Sequence, residues 1–219
     1  GSELAITSAG VLTFASAPDY ETKSTYTATV TASDGTNSTT QAITVNVTDV
    51  NEAPVFTSSA TFSAEENQTA IGTVTATDAD GDPITYRIDT LISSTDLEII
   101  INDGIISFES APDYETKSTY TTTVVASDGT NSTSQEITVN VTNVNDNSPV
   151  FTSSATFSAA ENQTAIDTVT ATDADGDDVT LTVSGSELAI TSAGVLTFAS
   201  APDYETKSTY TATVTASDG

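Results

Sequence analysis

The sequence predicts an all-β protein made of tandem antiparallel β-sandwiches, and three observations carry that prediction. Apolar and polar residues alternate at period two, turn-forming Gly and Asp/Asn clusters recur at short intervals, and whole blocks return about every 90–95 residues. No stretch shows helical periodicity.

The repeats fix the organisation first. "PVFTSSATFSA" begins at Pro54 and again at Pro149, and "SAPDYETKSTYT" sets Asp19, Asp113 and Asp203 at equivalent places. Residues 1–35 and 185–219 are identical letter for letter. Borders are expected at "TDVNEAPVF" and "TNVNDNSPVF", where a strand ends in Asp/Asn-rich residues and a proline opens the next repeat. The expected domains are therefore 1–53, the C-terminal part of a repeat; 54–148, a complete repeat; and 149–219, the N-terminal part of a repeat lacking its last strand. On this reading the chain is a piece of a longer array, and the middle repeat carries an insertion near "DTLISSTDLE".

Within each repeat the strands follow in order. "YTATVTA" puts Tyr26, Ala28, Val30 and Ala32 on one face and threonines on the other. The same alternation runs through Ile43, Val45 and Val47, through Ile84, Tyr86 and Ile88, and through Val179, Leu181 and Val183. Thr, Val, Ile and Tyr suit a pleated surface, and "SAG", "NDG", "SDG" and "ADG" supply the turns. About 95 residues and about seven strands is the size of an immunoglobulin-like Greek-key sandwich. The Cys and Trp of antibody domains are missing.

Composition narrows the function. Thirty-one acids face four bases, Lys23, Arg87, Lys117 and Lys207, and the net charge of −27 speaks against nucleic acid or an anionic membrane surface as partner. A cation is the natural partner. With no Cys there is no disulfide or thiolate site, and with no His there is no imidazole zinc site and no serine-type triad. No apolar run reaches the roughly 18 residues of a membrane span, and no basic segment with an apolar core marks a secretion signal. The chain is expected not to be an enzyme. The Asp/Glu pairs of "DYE" sit too close in sequence, and recur too regularly, for a glycosidase pair. The sequons in "NST", "NVT" and "NQT" follow from a Thr-rich chain and are assigned no role.

The acids recur in five motifs: "EN" at Glu66 and Glu161, the "DADGD" pairs, "DYE", "ASDG" and the Asp/Asn linker. Hard cations such as Ca²⁺ take six to eight oxygens from carboxylates, amide carbonyls and backbone. "DADGD" is a turn signal when met alone. An EF-hand is excluded, because Asp78, Asp80, Asp82 and Asp89 lead into a strand and the second copy has Ser184 at the last position.

Taken together the motifs resemble those of the cadherin repeat, in which "xEx", "DxD", "DRE", "xDx" and "DxNDNxP" meet between successive domains and cage Ca²⁺. The resemblance implies a ligand set at the first junction of Asp19, Glu21, Asp49, Asn51 and Glu52 with Asp78, Asp80 and Asp128. At the second it implies Glu66, Asp113 and Glu115, the linker residues Asn143, Asn145, Asp146 and Asn147 with the Val144 carbonyl, and Asp173, Asp175 and Asp218. "DYE" keeps both acids of "DRE" without its arginine, Asn143 replaces an Asp, and Glu52 and Ala53 replace Asp and Asn. Glu161, Asp203 and Glu205 have no downstream linker and are expected to stand alone.

The implied role is a calcium-stiffened, non-catalytic stalk or adhesive stretch of an extracellular or cell-surface protein. It is similar to arrays of large bacterial surface or secreted adhesins, with a parent chain attached to the cell surface. Calcium is the expected partner, with sister repeats or a surface polysaccharide as the alternative. Tyr20, Tyr114 and Tyr204, between the ligand acids, are expected to pack the joint, and the N-terminal Trp by which vertebrate cadherins dock is absent. Residues 36–49 hold a last strand that the third repeat lacks, so a second molecule is expected to be able to donate it.

Overall fold

The computed structural model describes residues 3–89 and 98–219. The predicted insertion falls largely on 90–97 and so lies outside the described residues. Every regular element among the described residues is a strand. The first stretch carries β1 (Leu4–Ile6), β2 (Leu12–Phe14), β3 (Thr25–Ser33) and β4 (Ser38–Asn46). The middle carries β5 (Val55–Phe56), β6 (Thr61–Glu65), β7 (Ala70–Thr73), β8 (Ala76–Thr77), β9 (Thr85–Ile88), β10 (Ile99–Asn102), β11 (Ile105–Phe108), β12 (Thr119–Ser127) and β13 (Ser132–Thr142). The last carries β14 (Val150–Phe151), β15 (Ala165–Thr168), β16 (Ala171–Thr172), β17 (Thr180–Val183), β18 (Leu188–Ile190), β19 (Val195–Phe198) and β20 (Val214–Ser217). The predicted fold class is the observed one: tandem immunoglobulin-like β-sandwiches.

The chain divides into two compact units, one of Gly1–Phe62, Thr69–Ser110 and Thr119–Asn140, the other of Ser63–Gln68, Ala111–Ser118 and Val141–Gly219. The sequence borders were drawn at 53/54 and 148/149. The segments 63–68, 111–118 and 141–148 thus fall in one unit with residues 149–219.

In the first unit the strands form where the period-two pattern predicts them, although Ala32, expected on the inward face, is exposed and Val124, Val125 and Ala126 are buried in a row. β12 pairs along nine residues with β13, from Thr119↔Asn140 to Ser127↔Ser132, and on its other edge with β9, in the order β6-β13-β12-β9. A second sheet has the order β10-β11-β7. Val124, Ile137 and Val139 of the first sheet and Ile106 of the second are fully buried, with Ile99, Phe108 and Tyr120 close behind. The Phe108 ring meets the Tyr120 ring edge-on at 4.9 Å, tying the two layers together. Phe14 on Tyr26 repeats that contact at 5.1 Å, and Lys23 covers the Tyr26 ring while pairing with Glu3. β3 and β4 form a two-stranded sheet whose inward row, Tyr26, Ala28, Val30, Ile43 and Val45, is half-buried.

The "NDG" turn between β10 and β11 has Asp103 at φ 48° and Gly104 at φ 80°, the two positive angles a tight hairpin needs to match strand twist. A Cβ on Gly104 would stand 2.7 Å from the Val74 carbonyl oxygen, so glycine is also required for space.

In the second unit β15, β19 and β18 form one sheet in the order β15-β19-β18, and β17 pairs with β20 from Thr180↔Ser217 to Val183↔Val214. Val169 and Leu196 are buried, as are Ala64 and Val141 from the middle repeat. Phe198 meets Tyr210 edge-on at 5.0 Å, the third copy of the same contact.

Candidate metal centre

Glu66 is 3% exposed, and the local sequence explains why. Asn67 adopts φ 62° and turns the chain after β6, and the Asn67 amide N–H donates to the Pro112 carbonyl at 3.0 Å. The Glu66 carboxylate is thereby held over two backbone amides: Tyr114 N–H donates to Oε2 at 2.8 Å and Val144 N–H to Oε1 at 2.7 Å. Glu115, Asp146 and Asp175 each bring a carboxylate oxygen into the same space, all four ligand atoms lying within 4.8 Å of one another. These acids come from separate segments of the second unit. Asn147 mediates among three of them, its Nδ2 donating to Asp175 Oδ1 at 3.0 Å, Asp146 Oδ1 at 2.8 Å and Glu115 Oε2 at 3.3 Å. Asp175 Oδ2 accepts the backbone amides of Asp146 and Asn147. Asn143 donates to the Asp175 carbonyl at 2.8 Å.

A second cluster lies within the first unit, where Glu21, Asp49 and Asp80 offer oxygens within 4.8 Å of one another. Asp80 Oδ2 accepts the Glu52 amide at 2.9 Å, and Asn51 Nδ2 donates to Asp128 Oδ2 at 2.8 Å. A cleft lined by Asp19, Tyr20, Glu21, Val50, Glu52 and Ala79 opens beside it. The "DADGD" loop does act as a turn, with Asp78 Oδ1 accepting the Asp80 and Asp82 amides. It also does more. Asp78 Oδ2, Asp80 Oδ1 and, in the second copy, Asp173 Oδ2 are buried with no hydrogen-bond partner. A buried carboxylate oxygen without a donor is costly.

Other expected ligands stand differently. Asp19 and Asp113 spend both carboxylate oxygens on the amide and hydroxyl of Thr22 and Thr116, and neither belongs to a cluster. Asp218 belongs to no acid cluster among the described residues. Val144 contributes its N–H to Glu66. The DYE tyrosines do not pack as expected: Tyr20, Tyr114 and Tyr204 are 39%, 36% and 65% exposed. Glu161, Asp203 and Glu205, expected to lack linker ligands, converge on one another with no linker acid among them, and Asp177 joins Asp173 and Asp175. Sequence reasoning also missed Asn67, which donates to Asp146 Oδ2, and Asn131, whose Nδ2 donates to the Asn51 carbonyl at 2.8 Å.

Truncating Glu66 tests how far this carboxylate supports the fold by itself. In chelator, Glu66→Ala leaves two amides without an acceptor and should destabilise by about 1–3 kcal/mol for each, with Glu66→Gln intermediate. Urea unfolding reads the difference, and equal midpoints for all three proteins contradict it.

The crowding also shifts protonation. Burial, then Asp80 and Asp49, raise Glu52 above the usual 4.5; burial, countered by its own amide, and then Glu66 and Asp175 raise Glu115. For Glu21 the pull of its own amide is outweighed by burial, Glu52, Asp49 and Asp80, so it too is raised. Asp175 is lowered, first by the Asn147 side chain, and Asp203 by Thr206. A raised acid binds more protons folded than unfolded, so its effect lowers stability as pH rises above 4.5; a lowered one loses its contribution as pH falls below 3.8. Melting in chelator should therefore peak between those two values and decline toward neutrality. A curve still rising from there to pH 7 would contradict this.

Residues 60–142 match the cadherin domain family. The chain is 36% identical over 183 residues to mouse "Cadherin EGF LAG seven-pass G-type receptor 1", a match covering 76% of this chain and 6% of that protein. The chain carries a cadherin domain. Chicken Cadherin-7 is 31% identical over 179 residues, covering 71% of this chain and 22% of its own length. These cadherin repeats thus correspond to a small part of the relatives they match. Among solved structures, mouse Cadherin-23 EC22-24 superposes with a TM-score of 0.65 at 25% identity, covering 100% of this chain and 78% of that one. The Protocadherin GammaB4 extracellular domain gives 0.67 at 25% identity, covering 99% and 39%.

Proposed function

We propose that these cadherin repeats bind Ca²⁺ through the two acid clusters and serve, without catalysis, as a stiffened stalk or adhesive stretch of an extracellular or cell-surface protein. The observation that carries the reading is the convergence of Glu66, Glu115, Asp146 and Asp175, with Glu66 buried. The donor set fits the ion: all donors are oxygens, and buried Asp oxygens wait without partners. Glu66, Glu115, Asp146 and Asp175 would hold calcium in the second unit, and Glu21, Asp49 and Asp80 in the first. Bound calcium cancels the mutual repulsion of these carboxylates, which at about 4 Å amounts to roughly 1–4 kcal/mol a pair. It also ties the linkers Asp49–Glu52 and Asn143–Asn147 to acids from neighbouring repeats.

Calorimetric titration of the full chain, with small-angle scattering at each end point, tests this. Saturable binding with a longer maximum dimension, reduced in the Asp146→Ala plus Asp175→Ala variant, is the expected result. No heat and no change of shape at about 10 mM calcium, above the range for extracellular modules, would reject it. A second reading, calcium-dependent binding of polysaccharide or of a sister repeat, is favoured by the exposed tyrosines beside the acids. Retention on a glycan column that is lost in chelator would select it.

A further inference from the structure

Two consecutive residues, Glu66 and Asn67, clasp the linker 143–147 from the turn after β6. In an extended strand successive side chains point to opposite faces, so neighbours in sequence do not reach one partner. Asn67 breaks that alternation with φ 62°, a left-handed conformation that Asn adopts more readily than most residues. The two side chains then meet the linker with opposite polarity. Glu66 Oε1 accepts the Val144 N–H at 2.7 Å, and Asn67 Nδ2 donates to Asp146 Oδ2. Asp146 Oδ1 accepts Asn147 Nδ2 at 2.8 Å, so this linker acid is held on both oxygens by neutral amides.

The turn itself is the work of the backbone. Asn162, at the same place in the next repeat, has the same φ of 62°, and its N–H donates to the Pro202 carbonyl at 3.0 Å as the Asn67 N–H does to Pro112. The Asn67 side-chain amide is therefore spare for another task. A carboxylate has about four lone-pair sites, and each Asp146 oxygen spends one of its own on an amide, which leaves one on each for a cation. A neutral amide also fixes the carboxylate without the positive charge by which Lys or Arg would oppose an ion. The same unit holds Asp173 Oδ2, buried with no hydrogen-bond partner. We propose that Asn67 is a positioning residue of the calcium centre in the second unit, presenting Asp146 beside Glu66, Glu115 and Asp175. The inference rests on the calcium reading above.

Positioning acts on affinity through preorganisation. An acid already held in place loses less freedom when the ion binds than one that must be ordered at that moment. Glycine adopts φ 62° without a steric cost, so Asn67→Gly keeps the turn and its N–H to Pro112 and removes only the donor to Asp146. Partners that orient metal ligands in this way change metal affinity by about 10–100-fold when they are removed. Asp146 keeps its bond from Asn147 in this variant, which places the expected loss at the lower end, about tenfold.

Calorimetric calcium titration of the full chain tests this, with the first cluster silenced by Glu21→Ala and Asp49→Ala. Adding Asn67→Gly should raise the dissociation constant about tenfold, while the melting midpoint in chelator stays where it was. An unchanged dissociation constant overturns the proposal and leaves the calcium reading standing. Absence of binding before Asn67 is altered overturns both. A midpoint in chelator that falls as far as the midpoint in calcium makes Asn67 a folding residue and overturns the proposal as well. A metal-free measurement reads the contact directly, by NMR of the Asn67 side-chain amide in chelator. Asp146→Ala should shift those amide protons, and signals that stay in place overturn the positioning role.

Discussion

Calcium added to the chelated chain should raise its melting temperature by about 10–20 °C for each occupied cluster. At a hundredfold excess over the dissociation constant, a ligand that binds only the folded state contributes about 2.7 kcal/mol. One kcal/mol moves the midpoint of a domain of 60–100 residues by about 4–8 °C. The effect is large because the metal-free fold starts from a deficit. Its net charge is −27, Glu52 and Glu115 are pushed toward their protonated forms, and three buried Asp oxygens lack partners. Differential scanning calorimetry with and without chelator measures the shift. The Asp146→Ala plus Asp175→Ala variant should lose the part that belongs to the second unit. Coincident midpoints in calcium and chelator would mean that the clusters are solvated acids.

What the sequence could show, and what it could not, divides along a physical line. Period-two alternation is enforced by burial, so the inward rows of β3 and β4 were readable letter by letter, and repetition carried the reading to β12, β13 and β20. The acids of the linker and of "DADGD" were readable as a set, because the residue types needed by a hard cation recur together. Which oxygens are free was not readable, because Asp113 and Glu115 are separated by a single residue in "DYE" and differ through Thr116, whose hydroxyl and amide take both Asp113 oxygens. Asn67 and Asn131 were missed for a related reason: an Asn in a turn usually serves its own backbone, and here two of them reach acids or carbonyls 79 and 80 residues away. The exposure of Tyr114 depends on where its neighbours end, which no local pattern encodes.

The other large effect belongs to the core, and one substitution made at two equivalent places isolates it. Ile137→Ala should destabilise the middle repeat by about 2–5 kcal/mol, since the side chain is fully buried between two sheets and its loss leaves a cavity the packed neighbours cannot close. Ile43 holds the same place on β4 in the first repeat, paired across from Ala28 as Ile137 is from Thr122. Ile43 is only half-buried, so Ile43→Ala should cost about 1 kcal/mol or less in the monomer. Urea unfolding of the two variants at low protein concentration measures the contrast, and equal losses would mean that β4 is as well covered as β13. The two residues separate by context alone: the same letter in the same register is a core residue in β13, where a second sheet covers it, and a half-buried one in β4.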